Sequence, residues 1–319
     1  MEIFHKAVLL HECLKLLAPE EPDALMIDGT LGEGGHSFAF LSQFNDLTVY
    51  GVDADSEIQE RAKLRLKDFS GRVKFFNAWT DDFLKNYTEE KKPHIILLDL
   101  GISVFHYAAS HRGFSFSSDE KLDMRLNSKT KKTAADLIAQ LSEKELADMI
   151  YRYAEERYSR QIARRIVEKR KEAPIETARE LAELIFNAVP PKYRYGRIHP
   201  ATRTFQALRI AVNSELDRLP RLLSLSFGLL ASGGKLGVIS FHSLEDRIVK
   251  HYFRELAKTV VEKNFQPINK TERNKNAVAV LLTKKPVTAT DEECAANPPS
   301  RSAKLRVIQK CREAECGKV

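Results

Sequence analysis

The sequence predicts an α/β fold, a parallel sheet interrupted by an all-helical insertion. Three observations point to it. Short apolar runs alternate with helix-spaced apolar residues from about Ala24 to Leu100, the pattern of successive strand-helix-strand units and so of a parallel sheet. From Ala134 to about Leu184 the spacing is helical throughout, with apolar residues three and four apart and no alternating stretch between them. Strand-like runs return at Lys235 to Phe241 and later.

The first strand, Ala24 to Ile27, stops at Asp28 and opens into Gly29-Thr30-Leu31-Gly32-Glu33-Gly34-Gly35-His36-Ser37. Glycines there remove side chains where backbone approaches a ligand, and a helix beginning near Ser37 directs its unpaired N–H groups into the turn. The spacing is not Gly-x-Gly-x-x-Gly, which argues against a dinucleotide pyrophosphate and for a cofactor without phosphates, such as S-adenosylmethionine. A merely tight connection is the plain alternative. The second strand, Thr48 to Val52, ends at Asp53. That carboxylate is placed to accept both hydroxyls of a ribose or, like Asp55, to cap the helix marked by Ile58, Ala62 and Leu66. The third strand is Val73 to Phe76, and the fourth, Ile95 to Leu98, ends in Asp99. Ligands of open parallel sheets bind beyond the carboxyl ends of the strands, so Asp28, Asp53 and Asp99 are expected to converge on one crevice.

In the helical segment Leu137, Leu141, Leu146, Met149, Ile150, Ile162, Ile166, Leu181 and Leu184 are the core candidates. Pro190-Pro191 and Pro200 mark a bend, and Arg203 to Leu230 reads as one further helix ended by Gly233-Gly234. Lys235 to Phe241 follows as a strand, Leu244 to Leu256 as a helix and the polar Val260 to Lys275 as a loop. Ala277 to Thr283 and Leu305 to Ile308 are two late strands. The expected organisation is a sheet domain in two parts, 1–107 and 206–319, with a helical insertion at 108–205.

At 319 residues, with 43% hydrophobic and 30% charged residues, the chain reads as globular. No apolar run nears the roughly 20 residues of a membrane helix, and Met1 to Leu10 lacks the basic-then-apolar order of a secretion signal. A cytoplasmic location and no membrane partner are expected. Cys13, Cys294, Cys311 and Cys316 form no Cys-x-x-Cys pair and have no histidine at ligand spacing, so neither a metal nor a disulfide framework is expected. Net charge is +7, and Tyr151 to Arg209 alone holds 14 Lys and Arg against 7 Asp and Glu, the same surplus. Interleaved with Tyr151, Tyr153, Tyr158, Tyr193 and Tyr195, that stretch suits a polyanion-binding surface. A solvated helical face carrying ion pairs is the other reading.

Several blocks, in order, give the chain a family likeness. They are Asp28-Gly29-Thr30 through Gly34-Gly35-His36-Ser37, Asp99-Leu100-Gly101-Ile102-Ser103, and Arg112-Gly113-Phe114-Ser115-Phe116 followed by Leu122-Asp123-Met124-Arg125. Further along stand His199-Pro200-Ala201-Thr202-Arg203-Thr204-Phe205-Gln206-Ala207, Asn213-Ser214-Glu215-Leu216, Ile239-Ser240-Phe241-His242-Ser243-Leu244-Glu245-Asp246-Arg247, and Asn297-Pro298 with Arg301-Ser302. Over nearly its full length the chain resembles the bacterial 16S rRNA N4-cytosine methyltransferase family. That resemblance implies a class I, Rossmann-like S-adenosylmethionine-dependent methyltransferase sheet with a helical substrate-recognition insertion. It also implies methyl transfer to N4 of a decoding-centre cytidine, cytidine 1402, of 16S rRNA in the small ribosomal subunit. Cofactor contacts would map onto Gly34, Gly35, His36, Asp53 and Asp99. The family continues Ser-Pro-Gln after Ser103, whereas this chain has Val104-Phe105-His106, so His106 would replace a glutamine contact. Where the family has Gly-Asn-Phe this chain has Ala78-Trp79-Thr80, which leaves Phe83 or Trp79 as the aromatic contact unless both are core.

Methyl transfer from a sulfonium needs in-line alignment with the acceptor and neither metal nor covalent nucleophile. Asp99, or the backbone at Gly101 to Ser103, is placed to accept an N–H of the cytosine amine. Stacking hides N4, so the base must be unpaired or flipped. Arg112, Arg125, His199, Arg203 and His242 are the candidate RNA contacts. Against these stand simple solvation for the two loop arginines and, at the start of the late helix, a capping box of Ser243 with Asp246. A nicotinamide oxidoreductase is disfavoured by the glycine spacing, and product formation separates an enzyme from a non-catalytic RNA-binding assembly factor.

Overall fold

The computed structural model describes residues 6–116, 119–257 and 278–311; the expected loop at Val260 to Lys275, and Cys316, lie outside them. The first elements are α1 (Leu10–Leu16), β1 (Leu25–Asp28), α2 (Gly35–Gln43), β2 (Thr48–Asp53), α3 (Ser56–Arg65), β3 (Val73–Asn77), α4 (Thr80–Lys85) and β4 (Ile95–Asp99). Helices follow: α5 (Val104–Ala108), α6 (Ala134–Gln140), α7 (Glu143–Ala154), α8 (Ser159–Glu172), α9 (Ala178–Ala188), α10 (Pro191–Arg194), α11 (Ala201–Asn213) and α12 (Glu215–Leu229). The chain then forms β5 (Lys235–Ser240), α13 (Ser243–Ala257), β6 (Ala279–Leu281), α14 (Asp291–Ala296) and β7 (Lys304–Lys310).

These elements fall into two compact units, one of Met1–Ile102 with Arg218–Val319 and one of Ser103–Asp217. The cuts expected at 107/108 and 205/206 therefore move. Ser103 accepts the Phe105 N–H and so starts α5, while α11 packs on α6, α7 and α9 of the helical unit. The single helix expected over Arg203 to Leu230 is two, because Ser214 takes a left-handed conformation (φ 53°) between α11 and α12.

The first unit is built on a seven-stranded sheet in the order β3-β2-β1-β4-β5-β7-β6. Its first five strands are parallel, and β7 runs antiparallel to both β5 and β6. All four residues of β1 and all six of β5 are buried, as expected of central strands covered on both faces. The register pairs Asp28 with Gly51 and Leu97, Asp53 with Asn77, and Asp99 with Ile239. The carboxyl ends of β1, β2 and β4 therefore share one edge. Beneath it Leu9, Leu17, Met26, Phe40, Leu41 and Leu97 belong to one apolar core.

The helical unit depends on local caps. Thr133 with Asp136, Ser142 with Glu145 and Thr177 with Glu180 each form a reciprocal capping box that satisfies end N–H groups at the starts of α6, α7 and α9. Leu146, Met149, Ile150, Ile162, Ile166 and Leu181 are buried as expected; Leu137, Leu141 and Leu184 are only half-buried, and Ile138 and Ile185 are the buried residues there.

Candidate active site

Asp28, Asp53 and Asp99 reach one sheet edge but do different things there. Asp28 is buried, accepting the Ser37 hydroxyl at 2.6 Å and the Thr30 N–H at 3.4 Å, so it ties the turn to the start of α2. Burial raises its pKa to about 6. Asp53 accepts the Gly32 N–H at 2.8 Å through Oδ2 and the Asp55 N–H at 2.9 Å through Oδ1. The cap of α3 is Asp55, which accepts the Glu57 N–H at 3.0 Å, so Asp53 instead steadies the glycine turn from the neighbouring strand.

The third carboxylate is held in a network of its own. The Asp99 N–H donates to Thr30 Oγ1 at 2.6 Å, Oδ1 accepts the Gly101 N–H at 3.3 Å, and Oδ2 lies 4.0 Å from His36 Nδ1. Burial, together with the charges of Asp28 and Glu245, pushes the Asp99 pKa to about 7 despite the bond from Gly101. His36 is buried, and its Nε2–H donates to the Val8 carbonyl at 3.0 Å. That bond leaves the Nδ1 lone pair toward Asp99, and burial lowers the ring's pKa to about 4, so the imidazole is neutral at physiological pH.

The glycines of the turn divide in the same way. Gly34 is left-handed (φ 74°), and a Cβ there would stand 3.0 Å from Leu66 Cδ1; at Gly35 it would stand 3.1 Å from the Ala7 Cβ. Both glycines admit neighbouring chain. Gly32 is also left-handed (φ 53°) and half-buried, and a Cβ there would meet nothing nearer than Ile58 Cδ1 and the Thr30 carbonyl at 4.0 Å, so it is less crowded than Gly34 and Gly35. Phe83 is half-buried, with its ring centroid 4.6 Å from that of Phe76. Trp79 lies under the Arg218 guanidinium at 4.8 Å, and Arg218 pairs with Asp81 at 2.6 Å.

His242 stands just before α13, and its partner is Glu245. The Glu245 Oε2 accepts the N–H groups of Phe241 at 2.8 Å and His242 at 3.3 Å, and Oε1 is 3.1 Å from His242 Nε2. The box expected from Ser243 and Asp246 thus forms one residue earlier, since Asp246 is held by Arg306 at 2.7 Å.

In the helical unit the two loop arginines expected on RNA are engaged internally. Arg112 donates to the carbonyls of Arg125 at 3.2 Å and Leu126 at 3.3 Å. Arg125 grips Asp123 with two bonds of 2.7 Å and donates to the Thr130 carbonyl at 3.1 Å. These bonds tie the loop together. His106 is buried, edge-on to Phe105 and Phe114 with centroids 5.6 and 5.4 Å away, the surroundings of a core ring. His199 and Arg203 are exposed; His199 Nδ1 accepts the Ala201 N–H at 3.2 Å, and Arg203 reaches the Glu155 carbonyl at 3.4 Å. Of the basic stretch, Arg170 donates to the Ile138 carbonyl and, at 2.7 Å, to that of Leu141, ending α6. Arg165 and Lys169 pair with Glu168 and Glu172 at 2.8 and 3.2 Å along α8.

Sequence reasoning missed Thr30 and Glu245. Each lies inside a block singled out for other residues, and no local signal shows that the Thr30 hydroxyl bonds the backbone of β4, 69 positions away.

Residues 2–311 match the model of the MraW methylase family. The chain belongs to that family. A Treponema denticola protein named ribosomal RNA small subunit methyltransferase H is 58% identical over 97% of this chain and 98% of its own length. Proteins of the same name from Borrelia turicatae and Treponema pallidum are 46% and 42% identical, covering 98% and 96% of this chain and 99% and 92% of their own. As an MraW methylase the chain is an S-adenosylmethionine-dependent methyltransferase. Its residues fit that cofactor. Gly32 is half-buried and lacks a side chain where backbone would approach a ligand, and the Asp53 carboxylate beside it has roughly four acceptor positions, of which the Gly32 and Asp55 N–H groups take one on each oxygen.

Proposed function

We propose that this MraW methylase methylates N4 of a decoding-centre cytidine, cytidine 1402, in the 16S rRNA of the small ribosomal subunit in the cytoplasm. One observation carries the reading: the 58% identity, across nearly the whole of both chains, to a protein named for methylation of small-subunit ribosomal RNA. The cofactor supplies an electrophilic methyl group on a positively charged sulfur. Gly32 and Asp53 receive its ribose, and Gly34, Gly35 and His36 hold the turn in shape. Phe83 supplies an apolar edge, and His106 maintains the packing of α5.

The cytosine amine is a weak nucleophile because its lone pair is delocalised into the ring. An ionised carboxylate that accepts one of its N–H bonds returns electron density to nitrogen and takes the proton once the new N–C bond has formed. Asp99 is assigned that role, which makes its ionised form, above about pH 7, the active one. His199 and Arg203 are assigned to RNA, whereas Arg112, Arg125 and His242 support the backbone. A folded target is preferred because it fixes one unpaired cytidine relative to the rest of the binding surface. The test is transfer of radiolabelled methyl to small subunits that lack the modification. Labelling of small subunits well above that of naked 16S rRNA is expected, whereas cofactor binding without labelling of either substrate would leave an assembly factor.

A further inference from the structure

Within the helical unit three rings stand in a row at the surface. His199 lies between Phe116 and Phe186, with centroids 4.6 and 5.9 Å away and interplanar angles of 23° and 20°. Core rings are buried, but here His199 is exposed and both phenylalanines are only half-buried. The rings line a cavity of about 410 Å³ together with Arg179, Glu183 and Asn187. Those three residues are spaced four apart on α9 and so share one face of it. Arg194 lies over Phe186 at 5.7 Å, and Tyr195, 80% exposed, meets the same ring edge-on. Partial desolvation between the two phenylalanines holds the pKa of His199 below its ordinary value, which favours an uncharged stacking ring.

A cavity of this volume suits one small planar group. Its walls are aromatic with hydrogen-bonding groups to one side, and the surrounding stretch, Tyr151 to Arg209, carries a net charge of +7 (14 − 7). Stacking of a base on aromatic rings, with cations along its backbone, is how single-stranded nucleic acid is held. We propose that this cavity is a base-stacking subsite that takes one unpaired nucleobase of the RNA substrate against Phe186, at the end of a row that His199 and Phe116 hold in place, with Arg179 meeting the adjoining phosphate. The inference rests on the ribosomal RNA reading above and adds to it a second grip on the RNA, built wholly within the helical unit.

The experiment measures binding of small ribosomal subunits lacking the modification, across a series of salt concentrations, by the full-length wild type and by Phe186→Leu, Phe186→Tyr and Arg179→Ala. Leucine keeps apolar bulk without a stacking face, so Phe186→Leu is expected to bind about 5- to 50-fold more weakly with an unchanged salt slope. Phe186→Tyr should retain affinity. Arg179→Ala should lower the log-log salt slope by about 0.7, the value for one neutralised phosphate on a single strand. Thermal unfolding and S-adenosylmethionine affinity of the variants should match those of the wild type. Wild-type affinity in a folded Phe186→Leu overturns the subsite and leaves the methylation reading standing. A wild type that binds and methylates no ribosomal RNA overturns both. If Phe186→Leu unfolds, Phe186→Tyr and Arg179→Ala decide alone: a tyrosine variant that folds but binds weakly, or an unchanged salt slope in Arg179→Ala, contradicts the proposal.

Discussion

The glycine turn at 28–37 and the arginine loop at 112–130 look alike in sequence, since both gather polar residues between apolar elements. In the turn, carboxylates at strand ends accept the N–H groups of Thr30 and Gly32 and fix its shape. In the loop, Arg112 and Arg125 close on carbonyls and a carboxylate of the same loop. The difference teaches that charged side chains in both places are engaged by the chain itself, and that what sets the turn apart is its place at the ligand-binding end of a parallel sheet. Position at the carboxyl end of a parallel strand separates the two cases better than residue type does.

Asp99→Asn probes the comparison with the largest effect. It should lower methyl transfer by about 100- to 10,000-fold, the usual range for loss of an acid-base group, and wild-type activity should rise with pH through about 7. Stability should move the other way. The folded-state pKa of Asp99 lies above its ordinary 3.8, so between those values the folded protein binds more protons than the unfolded chain. The contribution of Asp99 is therefore fully present below about 3.8 and lost as pH rises toward about 7. Unfolding midpoints of Asp99→Asn should accordingly gain on wild type between pH 4 and 8, values of the order set by this shift. A gap that stays constant with pH would show that Asp99 is charged throughout.

Asp53→Ala comes next. It removes the acceptor for the Gly32 N–H as well as for ribose hydroxyls, and S-adenosylmethionine affinity measured by calorimetry should fall by about 1.5 to 3 kcal/mol. Unchanged affinity would take Asp53 out of the cofactor site.

The smallest effects sharpen the other side of the comparison. Arg170→Ala should cost about 1 to 3 kcal/mol of stability, because two carbonyls at the end of α6 lose their donor. Arg164→Glu with Arg165→Glu should leave stability within about 0.5 kcal/mol and lower the salt slope of RNA binding by about 0.7 to 0.9 for each phosphate that the variant no longer neutralises. Equal unfolding midpoints for the Arg170 and the Arg164/Arg165 variants would erase the distinction between structural and solvent-facing arginines.

The sheet was legible because each of its first four strands is a short apolar run with a turn after it, and Asp53 and Asp99 follow from strand ends alone. The order of the late strands was not legible, since nothing local to Leu305 to Ile308 says that β7 enters between β5 and β6 in the opposite direction. The break at Ser214 was hidden because its left-handed backbone sits in an otherwise continuous helical pattern. The internal bonds of Arg112, Arg125 and Arg170 were not legible for a common reason: the carbonyls that receive them come from turns and helix ends whose geometry appears only after folding.

The assignment of Asp99 to an amine acceptor is tested most directly by the position of the methyl group. Small subunits lacking the modification, treated with wild-type protein and S-adenosylmethionine, would be digested to nucleosides and oligonucleotides for mass spectrometry. N4-methylated cytidine at a single decoding-centre position, and none with Asp99→Asn, is the predicted result. A methyl group on ring carbon five, chemistry that ordinarily requires a cysteine nucleophile, or undiminished product from Asp99→Asn, would contradict it.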